Sequence, residues 1–310
     1  MCADVDADVL IAGSGIAGMT AALFTARLGM RTSVLTGESH MGHLLSIGAI
    51  EDFPGFPQGV AGFDLCPMLE EQAVKAGAEF LGTPLLGVER SGGEFGISTG
   101  EGELRSKTVI LATGSAFREL GVPGEEEFRG RGVSDCASCD GPLYRGRKVA
   151  VVGGGDSALQ EALELAEHVE RVVLFHRGTS LDGQRSYAER VEANPKIEIR
   201  YGTVVESIRG DGAVSALSTR TISSDEVREE AVSAVFIYIG LRPRTEAVAG
   251  LLQLEADGRI PTDASLRTEV PGVFAAGGIR SGSSQQGVAA AGDGATAAIF
   301  AHEYLRDRVA

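Results

Sequence analysis

Short apolar runs of strand length alternate along this chain with longer stretches in which alanine and leucine recur at helical spacing. The first run, Asp8–Ala12, enters Gly13-Ser14-Gly15-Ile16-Ala17-Gly18, then an alanine-rich, helix-favouring segment to about Leu28, after which Thr32–Leu35 resumes strand character. The same order returns further along: Lys148–Val152, then Gly153-Gly154-Gly155-Asp156-Ser157-Ala158, the helical Leu159–His168, and the strand Arg171–Phe175. Two other runs, Ser106–Gly114 and Pro271–Gly277, read as buried strands that end in small residues. Phe63–Gly77 is an amphipathic stretch, and Val288–Leu305 predicts a packing helix with Ala, Ile and Phe mostly on one face.

Strand, glycine turn and helix together make a dinucleotide-binding βαβ unit. Gly13 and Gly153 permit the tight turn, Gly15 and Gly155 let backbone approach a pyrophosphate, and Gly18 or Ala158 allows close helix–strand packing. At each turn the phosphates would meet the positive end of a helix. A length of 310 residues suits two domains at roughly 100–200 residues each. The predicted fold is therefore α/β, with two Rossmann-like nucleotide-binding domains, the second inserted in the first. The boundaries expected are 1–116 with 246–310 for the outer domain and 117–245 for the insert.

Composition narrows the partners. The 43 glycines, well above an average usage of about 7%, suit an α/β protein with many tight turns. A formal charge of −15 argues against nucleic acid or an anionic membrane, either of which needs a basic face. No apolar run reaches the roughly 18–20 residues of a membrane span. The amino terminus lacks the basic and apolar regions of a secretory signal, which predicts a cytoplasmic protein.

Four cysteines in such a chain do not make a disulfide scaffold, because the compartment keeps thiols reduced. Cys2, at the terminus, and Cys66, within Phe63–Gly77, stand alone, and neither is expected to carry a function. Cys136-Ala137-Ser138-Cys139 spaces two thiols to close a small disulfide ring, with Asp140 next to it. The same spacing serves as half a zinc site, but there is no second C-x-x-C and the five histidines offer no H-x-x-x-H. A redox pair is favoured, with one thiol to attack a disulfide, one to exchange electrons with a cofactor, and an adjacent acid to manage the proton.

Over nearly its whole length the chain resembles the low-molecular-weight thioredoxin reductases. The motifs are Gly13 to Gly18, Glu51-Asp52-Phe53-Pro54-Gly55, Ala112-Thr113-Gly114, Cys136 to Gly141, Gly153 to Ala158 with Glu161, and Gly272 to Gly277. The resemblance implies FAD in the outer domain, a pyridine-nucleotide-type insert carrying the redox pair, and a homodimer. It also implies hinges near Phe117 and Arg244, about which the insert would rotate. By motif position Cys139 would face the flavin, Cys136 would attack a thioredoxin-like disulfide, and Asp140 would be the acid–base group. Flavin contacts are expected from Gly13, Gly15, Gly18, Gly42, His43, Asp52, Thr113, Gly114, Gly277, Gly278, Gln286 and Gly287. In the insert, contacts to a pyridine nucleotide are expected from Gly153, Gly155, Asp156, Ser157, Ala158, Glu161, His176 and Arg177.

Several positions depart from the family pattern. Its His-Arg-Arg clamp for the 2′-phosphate of NADPH, with a further Arg four residues on, reads His176-Arg177-Gly178 and Asp182 here. Loss of two charge-assisted hydrogen bonds weakens NADPH by about 3–6 kcal/mol. Arg185 and Arg190 are candidate replacements. An NAD-selective fold offers an acid near the strand end, and Phe175-His176 supplies none. The flavin site reads Met41-Gly42-His43 for Gly-Gly-Gln, Asp52 for Asn, Gly278 for the Asp that bonds the ribitol, and Gln285 for Arg. The donor is therefore open between NADPH, reduced ferredoxin and another flavin. The alternative reactions are a ferredoxin- or flavin-linked disulfide reductase and a small-molecule dithiol oxidase. A redox sensor that has lost its donor is the non-enzymatic alternative, disfavoured by the complete Cys-x-x-Cys-Asp.

Overall fold

The computed structural model describes residues 6–37 and 40–309, so Cys2 lies outside the described residues. The chain divides into two compact units, Met1–Ala116 with Arg242–Ala310, and Phe117–Leu241.

The first unit is built on a seven-stranded sheet. Glu79–Leu81, Thr32–Leu35, Ala7–Ala12 and Gly102–Leu111 lie side by side in that order, all parallel. Gly102–Leu111 divides its other edge. Its first half pairs antiparallel with Glu94–Thr99, which leads to Leu85–Ser91, and its last residues pair parallel with Val273–Ala275. The strands Ala7–Ala12 and Val273–Ala275 are apolar almost throughout because both faces of the sheet are covered.

Helix Ile16–Arg27 follows the first turn and packs on helix Gly287–Val309 through small residues. At Gly294 a β-carbon would sit 2.2 Å from the Ala17 carbonyl oxygen, so only glycine allows this approach. The last helix turns Ala297, Ala298 and Ala301 inward, with Phe300 packed half-buried on the same cluster, whereas Ile299 is exposed, a correction to the isoleucine expected on that face. Helix Gly62–Ala76 ends at Gly77 in the left-handed conformation and carries Cys66 into the interior beside Met19 and Met41. Burial pushes the Cys66 thiol up to about 11, where it is inert as a nucleophile. No helix among the described residues is long and apolar enough to cross a membrane.

The second unit holds a five-stranded parallel sheet in the order Ile197–Arg200, Arg171–Phe175, Lys148–Gly153, Val235–Tyr238, Val133–Ser134. Helices Asp156–His168 and Arg185–Ala193 cover one face, with Leu159, Ala162, Leu165 and Val191 fully buried. The other face packs through Val173, Phe175 and Val235 on residues of a three-stranded antiparallel sheet, Thr203–Asp211, Ala213–Thr221 and Val227–Ala231.

Candidate functional site

In the first unit the glycine turn closes where strands Ala7–Ala12 and Gly102–Leu111 end. Gly13 has φ +112°, and a β-carbon there would lie 2.2 Å from the Ala112 carbonyl oxygen. At Gly18 it would lie 1.8 Å from the Gly13 oxygen, whereas nothing stands within 4 Å of the same position on Gly15. Gly13 and Gly18 thus serve packing, and Gly15 presents open backbone at the start of a helix with no side-chain cap. Gly42, with φ +68°, brings its β-carbon position to 3.6 Å from the Gly15 Cα. The hydroxyl of Ser14 accepts the Met41 N–H at 3.0 Å, tying that loop to the turn.

Around this turn stand most of the other expected flavin contacts. His43 Nε2 bonds to the Ser115 carbonyl, the Thr113 hydroxyl donates to the Arg244 carbonyl, and the Gly114 carbonyl accepts the Arg244 N–H at 3.0 Å. A β-carbon at Gly278 would approach the Gln285 Oε1 at 3.0 Å and the Ser115 Oγ at 3.1 Å. Gln285 Nε2 donates to the Gly278 carbonyl at 3.1 Å. Gln286 is half-buried, and Gly287 approaches Ile16 and Leu44. Asp52 is exposed, in the turn between the bridged residues Ile50 and Val60.

Three residues here were not read from the sequence. Ser115 Oγ is buried and has no hydrogen-bond partner among the described residues. Asp293, also buried, accepts the Gly277 N–H at 3.0 Å and both Nε and Nη2 of Arg280, at 2.6 and 2.8 Å. A carboxylate inside an alanine-rich helix was the available signal for that pair.

In the second unit the turn repeats with differences. A β-carbon at Gly153 would lie 2.2 Å from the Tyr238 carbonyl oxygen and 2.8 Å from the Ala158 Cβ, while Gly155 is open and Ser157 exposed. The segment after Phe175 folds back onto the turn. The Gly154 carbonyl accepts N–H bonds from Asp182 at 2.8 Å and Gly183 at 3.1 Å. The Asp156 carboxylate accepts the Gln184 N–H at 2.6 Å. His176 is buried against Gly154 and Gly178. Its Nε2 lies 3.5 Å from an oxygen of Asp182, which is itself 73% exposed. An acid does therefore stand at the end of strand Arg171–Phe175, delivered by the returning loop rather than by Phe175-His176. Arg177 is exposed. Arg185 pairs with Glu189 at 2.6 Å, and the Arg190 guanidinium stacks 5.7 Å from the Tyr187 ring.

Cys136 and Cys139 form a disulfide, with Cα atoms 5.3 Å apart, at the helical turn Ala137–Asp140. Strand Val133–Ser134 leads into it, and the Ser134 hydroxyl accepts the Cys136 N–H at 3.1 Å. Cys136 caps the turn: its Sγ accepts the Cys139 N–H at 3.2 Å and its carbonyl accepts the Asp140 N–H at 3.1 Å. Cys139 is exposed, and Cys136 and Asp140 are half-buried. The Ala137 N–H donates to Glu161 Oε2 at 3.0 Å, and the Tyr238 hydroxyl donates to the same oxygen at 3.1 Å. Burial pushes the Glu161 carboxyl up to about 7 against those two bonds, with the charges of Glu164 and Asp135 adding to it. Burial and the Glu161 charge likewise raise the Tyr238 hydroxyl.

Comparison with known proteins gives a consistent result. Residues 7–294 match the family described as pyridine nucleotide-disulphide oxidoreductase. The thioredoxin reductase of Treponema pallidum is 40% identical over 305 residues, 97% of this chain and 98% of the relative. That of Streptomyces coelicolor is 38% identical, over 96% of this chain and 94% of its own. The crystal structure of the Lactococcus lactis thioredoxin reductase superposes with a TM-score of 0.95 at 37% identity, covering 97% of this chain and 99% of that one.

Proposed function

We propose, from the premise that this chain belongs to the pyridine nucleotide-disulphide oxidoreductase family, that it reduces the disulfide of a thioredoxin-like protein through Cys136 and Cys139. It is a thioredoxin-reductase-like flavoenzyme, and its cofactor is FAD. The single observation that carries the reading is the closed Cys136–Cys139 disulfide with Asp140 beside it.

The residues of the first unit fit FAD. Open backbone at Gly15 accepts a pyrophosphate, and the orphaned Ser115 hydroxyl offers a buried polar group beside Gly278, where a hydroxylated chain would satisfy it. His43, Thr113, Gly114, Gly277, Gly278, Gln286 and Gly287 complete the set we assign to it. When bound, FAD supplies two electrons to the protein disulfide.

The chain's own residues do the rest. Reduction opens the Cys136–Cys139 bond, and the Cys139 N–H that meets the Cys136 sulfur favours the thiolate on Cys136. That thiolate attacks one sulfur of the substrate disulfide. A mixed disulfide forms, and the departing substrate thiolate takes a proton relayed from solvent by way of Asp140. Cys139 then attacks the Cys136 sulfur, releases the second substrate thiol and restores the protein disulfide.

For the donor, Asp182 supports NADH over NADPH. A carboxylate at the strand end accepts a hydrogen bond from a ribose hydroxyl and repels a 2′-phosphate. The reading has the enzyme act in the cytoplasm as a homodimer, and sedimentation of the purified protein checks the dimer. The decisive experiment is anaerobic: NADH, NADPH, photoreduced ferredoxin or a dithiol is added to the yellow protein and loss of the flavin band is followed. Bleaching by NADH that is reversed by oxidised thioredoxin supports the proposal. Bleaching by ferredoxin alone would move the chain to a ferredoxin-linked reductase. Bleaching by a small dithiol alone, followed by peroxide formation in air, would make it a dithiol oxidase.

A further inference from the structure

Glu161 is a half-buried carboxylate with no part in the scheme above. It sits on helix Asp156–His168, and one of its oxygens accepts both the Ala137 N–H and the Tyr238 hydroxyl. Three separate elements therefore meet at one atom: the cysteine turn, the helix after the glycine turn, and strand Val235–Tyr238. Ala137 is fully buried and Tyr238 is 4% exposed, so water does not substitute for either bond. The N–H that Glu161 accepts belongs to the peptide joining Cys136 to Ala137, so the carboxylate bonds to the backbone beside the residue whose sulfur becomes a thiolate.

The groups facing Glu161 are mostly acidic. The cysteine turn contributes Asp135 and the Cys136–Ala137 peptide that bonds to it. Its own helix contributes Glu164, which is 3.7 Å from His168. Strand Val235–Tyr238 contributes Tyr238, and no Lys or Arg among the described residues pairs with the Glu161 carboxylate. A new negative charge on Cys136 is then best relieved by a proton on Glu161.

We propose that Glu161 is a positioning residue for the redox pair, which with Tyr238 fixes the Cys136–Ala137 peptide and takes up a proton when the disulfide is reduced. The balance is one disulfide, two electrons and two protons, giving one thiolate, one thiol and one neutral carboxyl. By linkage, a carboxyl that binds its proton more tightly in the reduced form makes reduction easier as pH falls through the interval between its two affinities. Burial already holds the oxidised-state carboxyl at about 7, so this interval opens near neutrality and extends upward.

This inference rests on the reading of Cys136 and Cys139 as redox-active, and its test does not require a substrate protein. Holoenzyme is equilibrated with mixtures of reduced and oxidised dithiothreitol from about pH 6 to 9, and the fraction of pair reduced is read by thiol trapping and mass spectrometry. In the native protein the equilibrium constant should carry an extra pH dependence, up to about tenfold per unit within the interval. Glu161→Gln keeps an acceptor for Ala137 and should remove that extra dependence. Tyr238→Phe removes a donor that holds the carboxyl down, and should move the interval to higher pH. Identical pH profiles in all three proteins would overturn the proposal. If Glu161→Gln does not fold, an interval unmoved in Tyr238→Phe overturns it equally. A shifted profile together with failure to reduce any thioredoxin would leave the proposal standing and sink the proposed function instead.

Discussion

The two glycine turns share their spacing and their strand–turn–helix context, yet they are built to different tolerances. In the first, the missing β-carbon of Gly18 would meet the Gly13 oxygen at 1.8 Å; in the second, Ala158 occupies the corresponding place with its methyl group. The first turn keeps Gly15 open, with Gly42 close by. The second keeps Gly155 open but has its shoulder covered by Asp182, Gly183 and Gln184. A glycine pattern therefore reports how closely backbone packs on backbone. Whether the face it creates is vacant depends on segments that return from elsewhere.

The largest effect is expected from exchanging the packing residues. Gly18→Ala forces a carbon into a carbonyl and should cost more than about 3 kcal/mol, seen as protein that purifies without flavin or does not fold. Ala158→Gly should cost only about 1 kcal/mol in chemical denaturation. Equal losses would mean that the two turns are not different after all.

The helices behind the turns extend the contrast, since the first buries Thr20 and Thr25 and the second carries the half-buried carboxylate of Glu161. The folded-state carboxyl of Glu161 is raised from 4.5 to about 7, so the folded protein holds the proton more tightly than the unfolded chain. Its stabilisation is complete below the ordinary carboxylate range and is lost as pH rises through that interval, at most about 3 kcal/mol. Urea melts at pH 5 and pH 8 should show this loss in the native protein and not in Glu161→Gln.

Next in size is the donor preference. Asp182→Arg should improve kcat/KM for NADPH about 10-fold and weaken NADH, whereas Gly178, whose β-carbon would lie 2.4 Å from the His176 ring, has no room for a second arginine. No change in the ratio would separate Asp182 from nucleotide choice. The smallest effect is expected at Ser115. Ser115→Ala should weaken FAD about 5–10-fold, one hydrogen bond's worth, measured by fluorescence of released flavin.

What was readable in the chain was local. Gly13, Gly15 and Gly153 announce turns because their geometry is set by immediate neighbours, and the buried strands are apolar along their length. The strand expected from Ser106 starts earlier, at Gly102, because its first residues pair with Glu94–Thr99 and carry polar side chains outward. The antiparallel sheet of Thr203–Ala231 went unread for the same reason: Glu, Arg and Ser alternate along strands that are covered on one face only. Tyr238 on Glu161 and Asp293 on Gly277 are encounters between separate segments, and Asp182 reaches His176 only because its loop turns back on itself. Their partners carry no local pattern that spacing could reveal.

The first unit draws its sheet and its helix layer from both sides of the insertion. Strand Val273–Ala275 completes the edge of Gly102–Leu111, and helix Gly287–Val309, keyed by Gly294, covers Ile16–Arg27. On the ribosome the insert is therefore complete first, its Phe117–Leu241 stretch being continuous, while the earlier half of the outer unit waits some seconds for its last strand and helix to emerge. Nascent chains arrested once Leu241, but not Val273, has left the ribosome should already yield a protease-resistant insert, with the residues before it still open to cleavage. During that interval the amino-terminal βαβ strands are the part of the molecule most in need of a chaperone.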